Sequence, residues 1–393
     1  MHRLENRVQP YAWGSPTAIP HLLGRPADGG PQAELWIGAH PAAPSAVVAG
    51  DGRRTGLDEV LDAAGVPRPP LLKVLAAAAP LSLQVHPDRA TARRRYAEEE
   101  AAGVPRDAAH RLYKDDEHKP ELLYALEPFA AVAGFRAPAA ARELLAGLPL
   151  VGLPDATDAL LAALLDDLAG DDEGGALRAA TSRLLTADAD VVGPLVQAVA
   201  VACAGSDDPS ALCANHLAGH HPGDPGVLVS LLLNQVRLAP GEALYLPAGN
   251  VHAYLWGTGV ELMASSDNVL RGGLTPKHVD VPELLRVVDF RVLPPPLLAP
   301  RAVSADELVL DPGVGDFALT VLTARPGAVT TWERAVPRTL LCLEGEVAVT
   351  AADGGELVLG RGQSVFVLPA EHPVTARGEG LLVAATPGEP AAS

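Results

Sequence analysis

Apolar residues along this chain follow two rhythms. From residue 1 to about 90 they come in short runs, such as 33–37 and 70–75, broken by Gly and Pro. Such runs predict strands joined by turns. Asp88-Arg89-Ala90-Thr91 then opens a charged, Ala-rich stretch to about residue 102, predicting a helix capped by Asp88 and ended before Pro105. Residues 121–126 read as a strand. Between about 137 and 220 the period changes: 138–145, 155–168, 176–185 and 191–204 carry Leu, Ala and Val at helical spacing, with Pro, Asp, Thr or Gly near their ends. Asp171-Asp172-Glu173 reads as a solvated turn, and His220-His221 as a loop pair. The β-pattern returns at 231–238 and 243–246, a Pro-rich linker covers 293–300, and short runs at 318–323, 339–343, 346–350, 364–368 and 380–385 alternate with Gly turns. That spacing suits a small antiparallel sandwich or barrel. The expected fold class is therefore mainly β with an α-helical insertion. Residues 1–136 and 225–292 form one β domain in two parts, 137–224 the insertion and 301–390 a second β domain.

Composition narrows the possible partners. With 393 residues the chain can bury a sizeable core. Its 30 basic and 48 acidic residues give a net charge of −18, which repels a phosphate backbone and excludes nucleic acid as a partner. An anionic substrate would need a local cluster of Lys and Arg working against that field. Cys203, Cys213 and Cys342 lack metal-type spacing and read as free buried thiols of a reducing compartment. Met1–Asn6 offers no apolar signal core, and no apolar run reaches the ~18 residues of a membrane helix. The expectation is a cytoplasmic monomer with no membrane partner.

Four blocks carry chemistry. In Pro240–His252 a Gly turn starts a strand, Pro247-Ala248-Gly249 makes the next turn, and His252 follows on the next strand. This spacing resembles the second motif of cupin barrels, where the His points inward as a metal ligand. In Leu83-Gln84-Val85-His86, strand alternation puts Gln84 and His86 on one face and Leu83 and Val85 on the other. Many cupins place two His at this spacing. A Gln in the first position is a weaker donor, better suited to a Lewis-acid site than to redox iron. His118-Lys119-Pro120-Glu121 supplies the carboxylate. Gln84, His86, Glu121 and His252 together make a donor set that Zn2+ accepts while keeping positions open. Arg271 and Lys277, in the Gly/Pro-rich loop that follows, are candidates for gripping a phosphate, Arg bidentately and Lys as a point charge.

The blocks Tyr11-Ala12-Trp13-Gly14, Glu34–Pro41, Leu81–Asp88, Tyr113–Glu121, Leu246–His252 and Ser266–Lys277 resemble, in order, the motifs of type I mannose-6-phosphate isomerases. The resemblance covers the first 280 residues or so. It implies a zinc-bearing cupin (jelly-roll) catalytic domain with a helical insertion, and a C-terminal cupin-like domain. It implies one Zn2+ per chain on Gln84, His86, Glu121 and His252. It places Ser82, Lys119, Glu261, Asp267, Arg271 and Lys277 in the substrate pocket, with Lys73 and Trp13 beside them. The chain departs from the family at Ala76, where Asp is frequent. The C-terminal segment keeps only a faded cupin pattern around Glu344-Gly345 and His372, without an upstream His-x-His, and is expected to be metal-free.

The implied activity is an aldose–ketose isomerisation of mannose 6-phosphate and fructose 6-phosphate, a proton moving between C1 and C2 through an enediol. Asp267, Glu261 and Lys119 are each competent as the base. A carboxylate is favoured, with Lys119 and Arg271 stabilising the enediolate. Two other classes are weighed against this: a cupin oxygenase using iron, and a non-catalytic sugar-binding cupin. Gln84 and the cationic loop argue against the first, and the filled ligand positions against the second. Metal analysis discriminates among the three.

Overall fold

A computed structural model describes residues 1–389; Pro390, the last residue of the second β domain as delimited above, lies outside the described residues. The fold is mainly β, with two antiparallel sheets of ten and eleven strands and a run of helices between the halves of the first. The ten-stranded sheet carries the candidate chemistry. Its long central strand, His252–Met263, pairs at one end with Gln84–Val85 and Phe129–Phe135 and at the other with Leu71–Ala77 and Glu121–Ala125. Strand pairing thus brings together residues that lie more than 150 positions apart.

The helices Pro138–Gly147, Asp155–Asp167, Glu173–Thr186, Ala189–Cys203 and Pro209–His220 pack on the outside of this sheet. Leu145, Leu164, Leu177, Val196 and Leu217 share one core with Leu83, Val85 and Val132. That contact explains the alternation at 83–86. Leu83 and Val85 feed the helical core, so Gln84 and His86 must face the other way. Asp88 caps the charged helix Arg89–Ala101 by accepting from the Thr91 amide, as its sequence predicts.

Three local expectations change. Pro209–His220 is a helix, so His220 ends a helix and is not a loop residue. Its buried face consists mainly of the small residues Ser210, Ala211, Cys213 and Ala214, whose weak apolar contrast hides the period. Glu173 opens the helix Glu173–Thr186 instead of sitting in a turn. Residues 339–343 and 346–350 belong to one strand, Arg338–Thr350, with a register shift between Cys342 and Glu344. Gly345 reads as a turn but sits inside that strand at φ 70°, where a Cβ would meet the Glu379 carbonyl oxygen at 2.0 Å.

The eleven-stranded sheet contains the C-terminal strands and also three from the start of the chain. His2–Glu5 pairs with Ser364–Val367 on one side and with Ala46–Val48 on the other, and Arg54–Gly56 follows at the edge. Among the described residues no single helix is long and apolar enough to cross a membrane.

Candidate metal centre and substrate cavity

A β-bulge sets the phase of the central strand. His252 and Glu261 are nine positions apart, which would place them on opposite faces of a regular strand. The pairing with Phe129–Phe135 shifts register between Tyr254 and Trp256, and this extra residue restores the phase. His252, Tyr254 and Glu261 therefore all line the same inner cavity of about 50 Å3, with Glu34, Lys73, Gln84, Lys119 and Glu121. Gly257 just beyond the bulge cannot carry a side chain, because a Cβ there would lie 2.7 Å from Phe129 Cδ2.

His86, Glu121 and His252 offer donor atoms within 4.8 Å of one another, all buried. His86 Nε2 lies 3.3 Å from Glu121 Oε1, and His252 Nε2 lies 3.4 Å from Glu121 Oε2. Tetrahedral ligands on Zn2+ at roughly 2.1 Å stand about 3.4 Å apart, so these separations fit that ion. His86 Nε2 is buried with no hydrogen-bond partner. Its Nδ1 lies 2.8 Å from the Asn268 carbonyl, and His252 Nδ1 lies 3.0 Å from the Asn250 carbonyl. Both Nδ1 atoms are thereby assigned as donors, leaving the Nε2 lone pairs aimed at Glu121. Burial lowers the His86 pKa to about 4, which keeps the ring neutral and able to coordinate. Burial opposes ionisation of Glu121, yet Lys119 at 3.0 Å, with His86, holds its carboxyl well below the usual range. Gln84 stands opposite His252 in the strand register and lines the same cavity.

Asn268 fixes this corner. Its buried amide donates to the carbonyls of Asp115 and Glu117, both at 2.8 Å, and accepts from the Lys114 amide at 2.7 Å. The loop before Lys119 is thus tied to the loop that supports His86.

Next to the donor set is a buried ion cluster. Lys73 Nζ lies 2.9 Å from Glu261 and 3.5 Å from Glu34, while Trp36 Nε1 donates to Glu34 at 2.7 Å. Burial alone would lower the Lys73 pKa, but Glu261 and Glu34 drive it up, so the ammonium stays charged. For Glu261 burial raises the pKa against the pull of Lys73.

A larger cavity of about 580 Å3 shares Glu34, Lys73, Leu81, Gln84 and Lys119 with the inner one. Trp13, Lys73, Ser82, Gln84, Lys119, Asp267, Arg271 and Lys277 all line it. Asp267 lies 3.6 Å from His40 Nε2, a buried ring whose pKa burial lowers. The Arg271 pKa is lowered by burial. That of Lys277 is lowered by burial and by the neighbouring charges of Arg271 and Lys114, with no carboxylate offsetting them. Two adjacent cations without a counter-ion on a cavity wall form an anion site. The structure adds lining residues that sequence reasoning passed over: Tyr11, Glu34, His40, His220 and His221 on the larger cavity, and Tyr254 on the inner one. Glu34 and His40 lie inside a block singled out above, but nothing local separates them from strand and loop residues.

Residues 1–138 match the family described as phosphomannose isomerase type I, catalytic domain. The mannose-6-phosphate isomerase of Salmonella typhimurium is 38% identical over 97% of this chain and 98% of its own length. The chain belongs to the mannose-6-phosphate isomerases. A plant member, mannose-6-phosphate isomerase 1 of Arabidopsis thaliana, is 30% identical over 96% of this chain and 91% of its own. Among solved mannose 6-phosphate isomerases, a zinc-bound holo form has a TM-score of 0.89 at 36% identity, covering 98% of this chain and 99% of that one. The Salmonella typhimurium isomerase bound to substrate (f6p) and zinc also has a TM-score of 0.89 at 36% identity, covering 99% of each chain.

Proposed function

We propose that this chain, as a mannose-6-phosphate isomerase, interconverts mannose 6-phosphate and fructose 6-phosphate with one Zn2+ held by Gln84, His86, Glu121 and His252. The observation that carries the reading is the convergence of three buried donors, one of them the orphaned His86 Nε2, beside a cavity walled by unpaired cations. When bound, the zinc supplies a Lewis acid next to the reacting carbons. The protein supplies the rest.

Arg271 and Lys277 hold the phosphate, and Ser82 and Trp13 help to seat the sugar across the larger cavity. Asp267 takes the carbon-bound proton. It faces the cavity large enough for a sugar, whereas Glu261 is locked 2.9 Å from Lys73 in the small one. Glu261 and Lys73 set the charge of the inner wall. Lys119, 3.0 Å from Glu121, points its ammonium to where the enediolate oxygens develop negative charge. Residues 1–136 and 225–292 would form the catalytic domain, 137–224 the insertion and 301–390 the cupin-like domain. We also read the protein as a cytoplasmic monomer that binds neither nucleic acid nor membrane. Its net charge of −18 and its free buried Cys203, Cys213 and Cys342 support that reading. The deciding experiment is a coupled assay of fructose 6-phosphate formation from mannose 6-phosphate, with and without a chelator. Turnover that survives complete metal removal would sink it.

A further inference from the structure

The helix Pro209–His220 ends at the rim of the larger cavity, which His220 and His221 line. One turn earlier the helix carries His216. Residues four apart share a helix face, and here the two imidazole centroids stand 4.9 Å apart at an interplanar angle of 65°. In the buried donor set the rings of His86 and His252 stand 5.1 Å apart at 49°. The rim pair therefore has nearly the same spacing as the pair that converges on a common point in the barrel. Unlike that pair, both rings are exposed. Partial burial, and next to it the neighbouring His220, lower the pKa of His216, which favours the neutral ring that can coordinate. Two imidazoles one turn apart on a helix form a two-point chelate, and imidazole donors suit Zn2+, Ni2+ and Cu2+. The net charge of −18 raises the local concentration of any divalent cation.

We propose that His216 and His220 form a second, solvent-exposed site for a divalent transition-metal ion at the mouth of the catalytic cavity. Ligation by only two protein side chains makes it weaker than the buried site, with water completing the coordination. Because His220 is also a cavity wall, an ion held here places two positive charges beside the path of an anionic sugar. This consequence rests on the proposed function, whereas the binding site itself does not.

The test is a calorimetric titration of the zinc-loaded full-length enzyme with Ni2+. One further equivalent is expected, and His216→Asn and His220→Asn should each weaken its binding by more than about tenfold. His110→Asn, which removes a solitary exposed imidazole, should bind as the parent does. Circular dichroism and zinc content check that the variants are folded. Absence of a further equivalent, or undiminished binding in His216→Asn, would overturn the site, as would its loss in His110→Asn. In a second arm, saturating Ni2+ should change the KM for mannose 6-phosphate in the parent and not in His216→Asn. An unchanged parental KM despite bound Ni2+ would overturn the placement beside the substrate path while leaving the proposed reaction untouched.

Discussion

His252 and Arg271 separate the two halves of the chemistry. His252 belongs to the buried donor set, so His252→Ala removes one of three clustered donors. The expected outcome is loss of bound zinc and of turnover together, read by elemental analysis and the coupled assay. Arg271 lies outside that set on the cavity wall, where it lacks a counter-ion. Arg271→Ala should keep its zinc and lose roughly 10²-fold in kcat/KM for the phosphorylated sugar, the scale of removing one strong charge-assisted contact. An equal loss on unphosphorylated mannose would show that the guanidinium does not grip the phosphate. At this scale the sequence is informative because metal chemistry restricts residue type. Few residues besides Gln84, His86, Glu121 and His252 could serve at those spacings. The supporting groups are harder to read. Asn268 acts through backbone carbonyls and amides, and Glu34 acts through Lys73 and Trp36. Neither arrangement leaves a local signature.

Helices and strands hold these residues through a few buried polar contacts. Glu283 on the helix Val281–Val287 accepts from the Tyr113 hydroxyl at 2.7 Å and from Arg95 Nε at 2.7 Å, tying that helix to Arg89–Ala101. Burial alone would raise the Glu283 pKa, but the bonds from Arg95 and Tyr113 lower it. A lowered carboxylate pKa stabilises the fold above its ordinary value of 4.5, and the contribution disappears as pH falls through the folded-state value. Glu283→Gln should therefore destabilise the protein at neutral pH by about 2 kcal/mol, discounted for the partial exposure of Arg95. It should also flatten the dependence of stability on pH below 4.5, as read by denaturant titration across pH. A variant as stable as the parent at pH 7 would count against the clamp. Strand phase is an element-scale property that local pattern misses. A reader counting alternation from His252 would turn Glu261 away from the cavity, because the bulge near Leu255 depends on the partner strand. The helix Pro209–His220 escapes notice for another reason: its buried face is small and of mixed polarity.

Across the whole molecule, the C-terminal region reaches the catalytic loop through one carboxylate. Asp316 lies 2.9 Å from both Arg89 and His118, and His118 immediately precedes Lys119. Asp316→Ala should keep its zinc and lower kcat/KM about tenfold through the freed His118-Lys119 segment, checked by kinetics with metal analysis on the same preparation. Unchanged kinetics would make the contact merely structural. The order of folded segments along the chain was legible from periodicity and punctuation. The partnership between the chain's first strands and its last sheet was not, because a strand's own residues do not specify a neighbour some 360 positions away. That partnership also bears on synthesis. The ribosome releases His2–Glu5 long before it has made Ser364–Val367, so one edge of this strand stays open until translation is nearly complete, while Ala46–Val48 can pair with the other edge early. Nascent chains stalled short of that point should be protease-sensitive along that open edge.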